Sequence, residues 1–318
     1  MDASALPESV ITIDSQYVQP ERAAAYLIVD GDRAAFVDNN TSRAVPLLLE
    51  ALATAGLAPE QVEYAIVTHV HLDHAGGTAA LLEACPNAVA LAHPRAVRHL
   101  VNPARLVQGV KMVYGDELFE ELFGTVQPVP TDRVRAVEDG EALPLGARTL
   151  TFLHTPGHAK HHICVHDSGA NATFTGDSFG VGCPSLQCGT KPFLLCSTAP
   201  SDFDAADARK TVQRILDTGA AYVCLAHFGA VADVGAAAGV LMRSIDAMEV
   251  ILQAAVESDI EDDALEEFCV ERVREAVDRQ LADCGVPPTN TGRAWLEGDI
   301  RLNAKGLAYA AGRLRRGQ

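Results

Sequence analysis

Thr68-His69-Val70-His71-Leu72-Asp73-His74-Ala75-Gly76-Gly77 follows a largely apolar run at 62–67 and gathers three imidazoles and a carboxylate into six residues. Side chains two apart in extended backbone share a face, so His69, His71 and Asp73 point one way and His74 follows as the chain turns. Taken singly, each reads as a satisfied core histidine or, for Asp73, as the cap of a helix starting near Ala75. Four together, all able to reach one point, call for a metal. Imidazole and carboxylate suit a borderline divalent ion, zinc first and iron or manganese next, with the histidines neutral and the aspartate ionised.

A chain of 318 residues can bury a large core as one α/β domain, or as one domain with a smaller appendage. Residues 1–8 lack a basic segment followed by an apolar one, and no apolar run approaches a membrane span. The expected location is therefore the cytoplasm; the eight cysteines have no small-scaffold spacing and read as buried or loop thiols, with Cys183 and Cys188 the pair that stands out. With 25 basic and 42 acidic residues the formal charge is −17, which disfavours binding a nucleic-acid backbone or an anionic membrane and leaves a small molecule as the expected partner.

Runs at 10–13, 24–29 and 34–37 read as strands, the last two joined by Asp30-Gly31-Asp32 as a hairpin. Thr41 or Ser42 is the expected cap of a helix to about Ala55, and the strand at 62–67 delivers the histidine stretch. Asp38, at the end of its strand, reads as a turn residue rather than a partner to the site. A helix at 78–84, a strand at 88–92 and a helix opening at Pro94 continue the α/β alternation; His93 and His99 stand apart from the motif. The segment 105–123, with Val107, Val110, Tyr114, Phe119 and Phe123, is helical in pattern and apolar enough to roof a pocket. Strands at 134–137 and 148–153 lead to Thr155-Pro156-Gly157-His158, with His161 and His162 close behind; spacing alone leaves open which of the three faces the metal. Strands at 163–166 and 172–175 end in Gly176-Asp177-Ser178. An ordered loop at 180–200 follows, then a helix at about 203–218 and a strand at 221–226 that ends in His227.

His69, His71, Asp73, His74, His158, Asp177 and His227, in that order and each after a strand, resemble the metallo-β-lactamase superfamily over about residues 10–230. The HxHxDHAGG, TPGH and TGDS segments are most similar to its hydroxyacylglutathione hydrolase (glyoxalase II) and acyl-homoserine-lactone lactonase branches. The resemblance implies a four-layer αβ/βα sandwich with a catalytic domain at 1–232 and two divalent metal ions between its sheets. It assigns His69, His71 and His158 to the first ion, Asp73, His74 and His227 to the second, and Asp177 to both. His161 and His162 then become outer-sphere or substrate-side residues. The implied activity is a dinuclear metal-dependent hydrolase in which a metal-bridging hydroxide attacks a small ester, lactone or thioester, Asp73 orienting it or passing its proton. Alternatives within the superfamily are an iron-dependent redox enzyme of the persulfide dioxygenase kind and a phosphodiesterase, the latter disfavoured by the acidic balance.

Residues 233–318 form a helical extension expected to pack on the core or on a second copy of the chain, which leaves a homodimer open. Its helices read at 240–256 and 263–282, then a break at Pro287-Pro288 and a last helix carrying Trp295, Leu296, Ile300 and Leu307. No basic cluster suited to glutathione carboxylates is evident there. Tyr114, His162, Ser185 and Lys191 are the expected substrate contacts.

Overall fold

A computed structural model describes residues 6–189, 191–198, 203–287 and 290–317, the side chains of 290–293 excepted. Met1–Ala5 of the N-terminal segment, Pro200 at the end of the expected loop and Pro288 of the expected helix break lie outside the described residues.

Two sheets face each other. The first runs β1 (Val10–Asp14), β2 (Ala24–Asp30), β3 (Arg33–Val37), β4 (Val62–Ile66), β5 (Val89–Ala92) and β6 (Val134–Ala136), antiparallel as far as β3 and parallel beyond it. The second is ordered β12-β11-β10-β9-β8-β7, comprising β7 (Ala142–Leu145), β8 (Arg148–His154), β9 (Ile163–Asp167), β10 (Ala172–Gly176), β11 (Tyr222–Leu225) and β12 (Gly229–Val231); there only the β10–β11 pair is parallel.

The two-residue period of a strand explains the layering. In β3, Ala35 and Val37 join the core between the sheets, whereas Ala34 and Phe36 join the outer core under α1 (Val45–Thr54) and α3 (Thr78–Ala84). Both faces are covered, so such strands read as unbroken apolar runs rather than alternating ones. Each fully buried Leu or Phe there contributes about 1.5–3 kcal/mol. On the far side, α7 (Ala205–Asp217), α8 (Val234–Glu257), α9 (Leu265–Asp283) and α10 (Asn290–Arg315) share one apolar cluster with β11. The result is the expected four-layer α/β sandwich, with the C-terminal helices packed on the core across position 232.

Several local expectations are corrected. α1 starts at Val45 behind Ala44 without a side-chain cap, because Pro46 sets its first turn while the Thr41 carbonyl accepts from Ala44 N at 3.0 Å. The segment 105–123 is two helices, α5 (Ala104–Tyr114) and α6 (Asp116–Phe123), divided at Gly115, whose φ of +78° is open to glycine but strained for other residues. The strand β7 went unread because Pro144 argues against a ladder; it is tolerated on this sheet's outermost strand.

Candidate metal centre

Each functional side chain lies just past a strand's C-terminal end at the same rim. β4 delivers His69 and His71, α2 (Leu72–Ala75) carries Asp73 and His74, β8 leads to His158, β10 to Asp177 and β11 to His227. The backbone of α2 is held by the loop after β3: Asn39 N donates to His74 O at 2.9 Å and Asn40 Nδ2 to Asp73 O at 2.9 Å. Gly77 permits this approach, since a Cβ there would meet Thr41 O at 2.7 Å.

The seven side chains converge as two groups, His69, His71, His158 and Asp177 beside Asp73, His74 and His227. Asp177 faces both. Its Oδ2 lies 3.4 Å from His158 Nε2, and its Oδ1 lies 3.4 Å from both His74 Nε2 and His227 Nε2. His227 Nε2 is also 3.4 Å from Asp73 Oδ2.

The hydrogen bonds behind the rings determine which nitrogens look inward. His74 Nδ1 donates to Asp38 Oδ2 at 3.0 Å, His227 Nδ1 to Arg22 O at 2.9 Å and His158 Nδ1 to Ser197 O at 3.2 Å. Thr68 Oγ1 donates to Asp38, so at 3.2 Å it accepts from His69 Nδ1. With each Nδ1 occupied, the Nε2 lone pairs point to the centre, the arrangement in which outer-sphere acceptors orient metal-ligating histidines. His71 Nδ1 then lies 2.9 Å from His69 Nε2 and 3.1 Å from His158 Nε2, and one N–H cannot serve both. His74 Nε2 and Asp177 Oδ1 are buried without a hydrogen-bond partner. Crowded lone pairs and orphaned buried polar atoms fit a cation in each group.

The electrostatics show the metal-free cluster drawing positive charge. Burial alone would lower the His74 pKa, but Asp73, Asp177 and Asp38 outweigh it and raise it to about 10. Burial would raise the two carboxyls; the histidines, His74 foremost, instead hold Asp73 and Asp177 well below the usual range. His69 is lowered by burial and then by His74 and His71, and His71 by burial and then by His158 and His161, which keeps both neutral.

Asp38 is therefore more than the turn residue expected: buried, it accepts from Thr68 N, Thr68 Oγ1 and His74 Nδ1. The charge and the buried apolar strand before it were its only signals. Of the expected substrate contacts, Tyr114 lies near enough to Asp73 that the carboxylate, after burial, helps push its pKa up to about 12. His162 is corrected. It is 1% exposed, accepts from Asp177 N at 3.2 Å and sits within hydrogen-bond reach of Thr155 Oγ1 and Ser178 Oγ, so it supports the ligands from behind instead of meeting substrate. Gly176 makes room for it, a Cβ there falling 2.5 Å from His162 Nε2. Ser185 is exposed beside Cys183. Lys191 is exposed with Cys284, past the end of α9, as a neighbour. Two residues went unread: Arg22, and Tyr17, whose pKa is raised by burial and then by Asp73 and whose ring lies 6.2 Å from that of Phe123. Both lie in the irregular segment between β1 and β2, where no local pattern marks them.

The sequence and the fold are similar to those of known proteins. A family model described as the metallo-beta-lactamase superfamily matches residues 18–227. The chain is 30% identical over 139 residues to the metallo-beta-lactamase fold-containing protein ST1585 of Sulfurisphaera tokodaii, covering 43% of this chain and 52% of that protein. It is 29% identical over 180 residues to the acyl-coenzyme A thioesterase MBLAC2 of Homo sapiens, covering 51% and 60%. It is 32% identical over 173 residues to a hydroxyacylglutathione hydrolase of Stenotrophomonas maltophilia, covering 54% and 52%. The matches thus span roughly half the length of these curated relatives. Among solved structures, ST1585 from Sulfolobus tokodaii superposes with a TM-score of 0.64 at 21% identity over 95% of this chain and 98% of that one. The metallo-beta-lactamase family protein TTHA1429 from Thermus thermophilus gives 0.60 at 21% over 98% and 95%, a likeness of fold.

Proposed function

Since the chain belongs to the metallo-β-lactamase superfamily, we propose that it is a dinuclear metal-dependent hydrolase that cleaves an acyl thioester with an apolar acyl group. The observation that carries this reading is Asp177, whose two oxygens face two separate sets of inward imidazole nitrogens. His69, His71 and His158 would hold one ion and Asp73, His74 and His227 the other, with Asp177 shared; zinc suits this donor set best. A divalent pair bound there supplies carbonyl polarisation and a water acidic enough to ionise near neutral pH.

The chain's own residues do the rest. Asp73, with its side chain 24% exposed, is the carboxylate that solvent reaches. Its strongly depressed pKa makes it a poor proton acceptor and a good hydrogen-bond acceptor, so its role is to orient the attacking water. Next to it, Leu72 packs against Phe119 and Phe123, with Tyr17, Val107, Val110 and Tyr114 around them. α5 has no buried residue, so its half-exposed apolar face over this cluster suits an acyl chain. Relatives named acyl-coenzyme A thioesterase and hydroxyacylglutathione hydrolase support a thioester as the bond cleaved.

The test is zinc-loaded protein assayed against acyl-coenzyme A esters of increasing chain length, lactones and bis-(p-nitrophenyl) phosphate. Thioester hydrolysis that rises with chain length and disappears with a chelator is expected. Preference for the phosphodiester, or oxygen uptake on a persulfide by an iron form, would replace this reading.

A further inference from the structure

We infer that the C-terminal helix α10 positions one ligand in each metal group through two separate relays, with Asp299 and Asn303 as the positioning residues. Trp295, Asp299 and Asn303 recur every four residues and so lie along one face of α10. The helix's apolar residues Leu296, Ile300, Ala304 and Leu307 enter the core. A polar stripe on a helix so deeply packed needs a reason, and each member has one.

In the first relay, Asp299 is 6% exposed and takes both guanidinium nitrogens of Arg22, at 2.6 and 2.7 Å, while Trp295 lies under the same guanidinium with its ring centre at 4.4 Å. Arg22 O is the acceptor for His227 Nδ1. The ion pair fixes the segment between β1 and β2, and that segment's carbonyl sets the ring of His227. A buried ion pair is a weak source of net stability because desolvation offsets its attraction, whereas its bidentate geometry fixes position well.

In the second relay, Asn303 is 4% exposed and grips the loop after Leu195: Thr198 N donates to its Oδ1 at 2.6 Å, Thr198 Oγ1 to its backbone carbonyl at 3.0 Å, and its Nδ2 to Cys196 O at 3.0 Å. Ser197, clamped between, presents its carbonyl to His158 Nδ1 and its Oγ to Asp177 Oδ2 at 3.4 Å. His158 belongs to the group with His69 and His71, and His227 to the group with Asp73 and His74. One helix thus steers both groups, each through a different carbonyl.

This inference rests on the two-metal reading, and the experiment separates the two. Zinc is titrated out of the intact chain with a chromophoric chelator; His69→Ala and His74→Ala identify the two release steps. Asn303→Asp, which keeps the side chain's shape but loses the N–H to Cys196, is expected to weaken the His69/His71/His158 step roughly tenfold and leave the other in place. Asp299→Asn is expected to do the reverse. Thr198→Val removes the hydroxyl bonds to Asn303 while keeping the Thr198 N–H on its Oδ1, and is expected to weaken the same step to a lesser degree should Asn303→Asp fail to fold. Leu307→Ala, on the apolar face, is expected to lower the Tm and leave the ratio of the two steps unchanged. Unchanged steps in the two polar variants, or both steps falling together as in a loosened helix, overturn the relays while leaving the metal reading intact. A wild-type chain that takes up no zinc overturns both.

Discussion

The two sheets supply one centre in different ways. The first contributes four ligands from a six-residue stretch after β4 and steadies them with its own side chains, Asp38 and Thr68. The second contributes three, His158, Asp177 and His227, from the ends of three strands, and their supports come from elsewhere: Ser197 in a loop gripped by α10, and Arg22 from the N-terminal segment. The first half is a locally encoded site; the second is assembled. Damage to the first should stay local, and damage to the second should be reachable from distant residues.

The most severe test of that contrast is Asp177→Ala. As the carboxylate facing both groups, it should reduce turnover by more than about 100-fold, beyond the outer-sphere range, and weaken both zinc steps. Asp73→Ala should depress turnover comparably but spare the step that reports His69, His71 and His158. Elemental analysis beside thioester hydrolysis separates them, and Asp177→Ala losing a single ion would end the idea of a shared carboxylate.

A smaller effect is expected from Asp38→Ala, at about 10–100-fold in zinc affinity at the His74 step, whose ring Asp38 orients directly, and less at the His69 step, which it reaches only through Thr68. Equal loss at both steps would show that Asp38 acts on the stretch as a whole and not chiefly on His74. Acidity gives a graded version of the same test. His74 in the metal-free chain keeps its proton up to about pH 10, so zinc must displace that proton at neutral pH. Affinity at that step should rise about tenfold per pH unit between pH 7 and 9 and level off near 10, seen as proton release in buffers of differing ionisation enthalpy. A flat profile would mean that the three carboxylates around His74 do not hold the proton. The mildest change is Tyr114→Phe: a few-fold rise in KM, with zinc release unaltered, is the expected outcome of the proposal that its phenol, beside Asp73, meets substrate. A matching change in zinc release would make Tyr114 part of the metal's surroundings instead.

How far the sequence could be read follows the same division. His69, His71, Asp73 and His74 were legible because the strand period and one turn are enough to bring them together. The placement of His158 among three nearby histidines was not, and followed only from resemblance, because a Pro-Gly turn carries no period. His162, one of the three, turned out to hold Asp177 from behind, and nothing in its spacing distinguishes that role from a substrate contact. Asp38 looked like a turn residue because its carboxylate acts on residues thirty and thirty-six positions away. β7 was hidden by Pro144, acceptable only on the outermost strand, and strand order is a tertiary fact.

The sequence alone therefore determined the alternating strands and helices and the dense half of the centre, since local periodicity and short spacing encode both. Only the tertiary structure decided that Arg22, Ser197, Asp299 and Asn303 stand behind the histidines. Their hydrogen bonds join residues as many as 277 positions apart, and no sequence period records an approach that the packing of four layers alone creates.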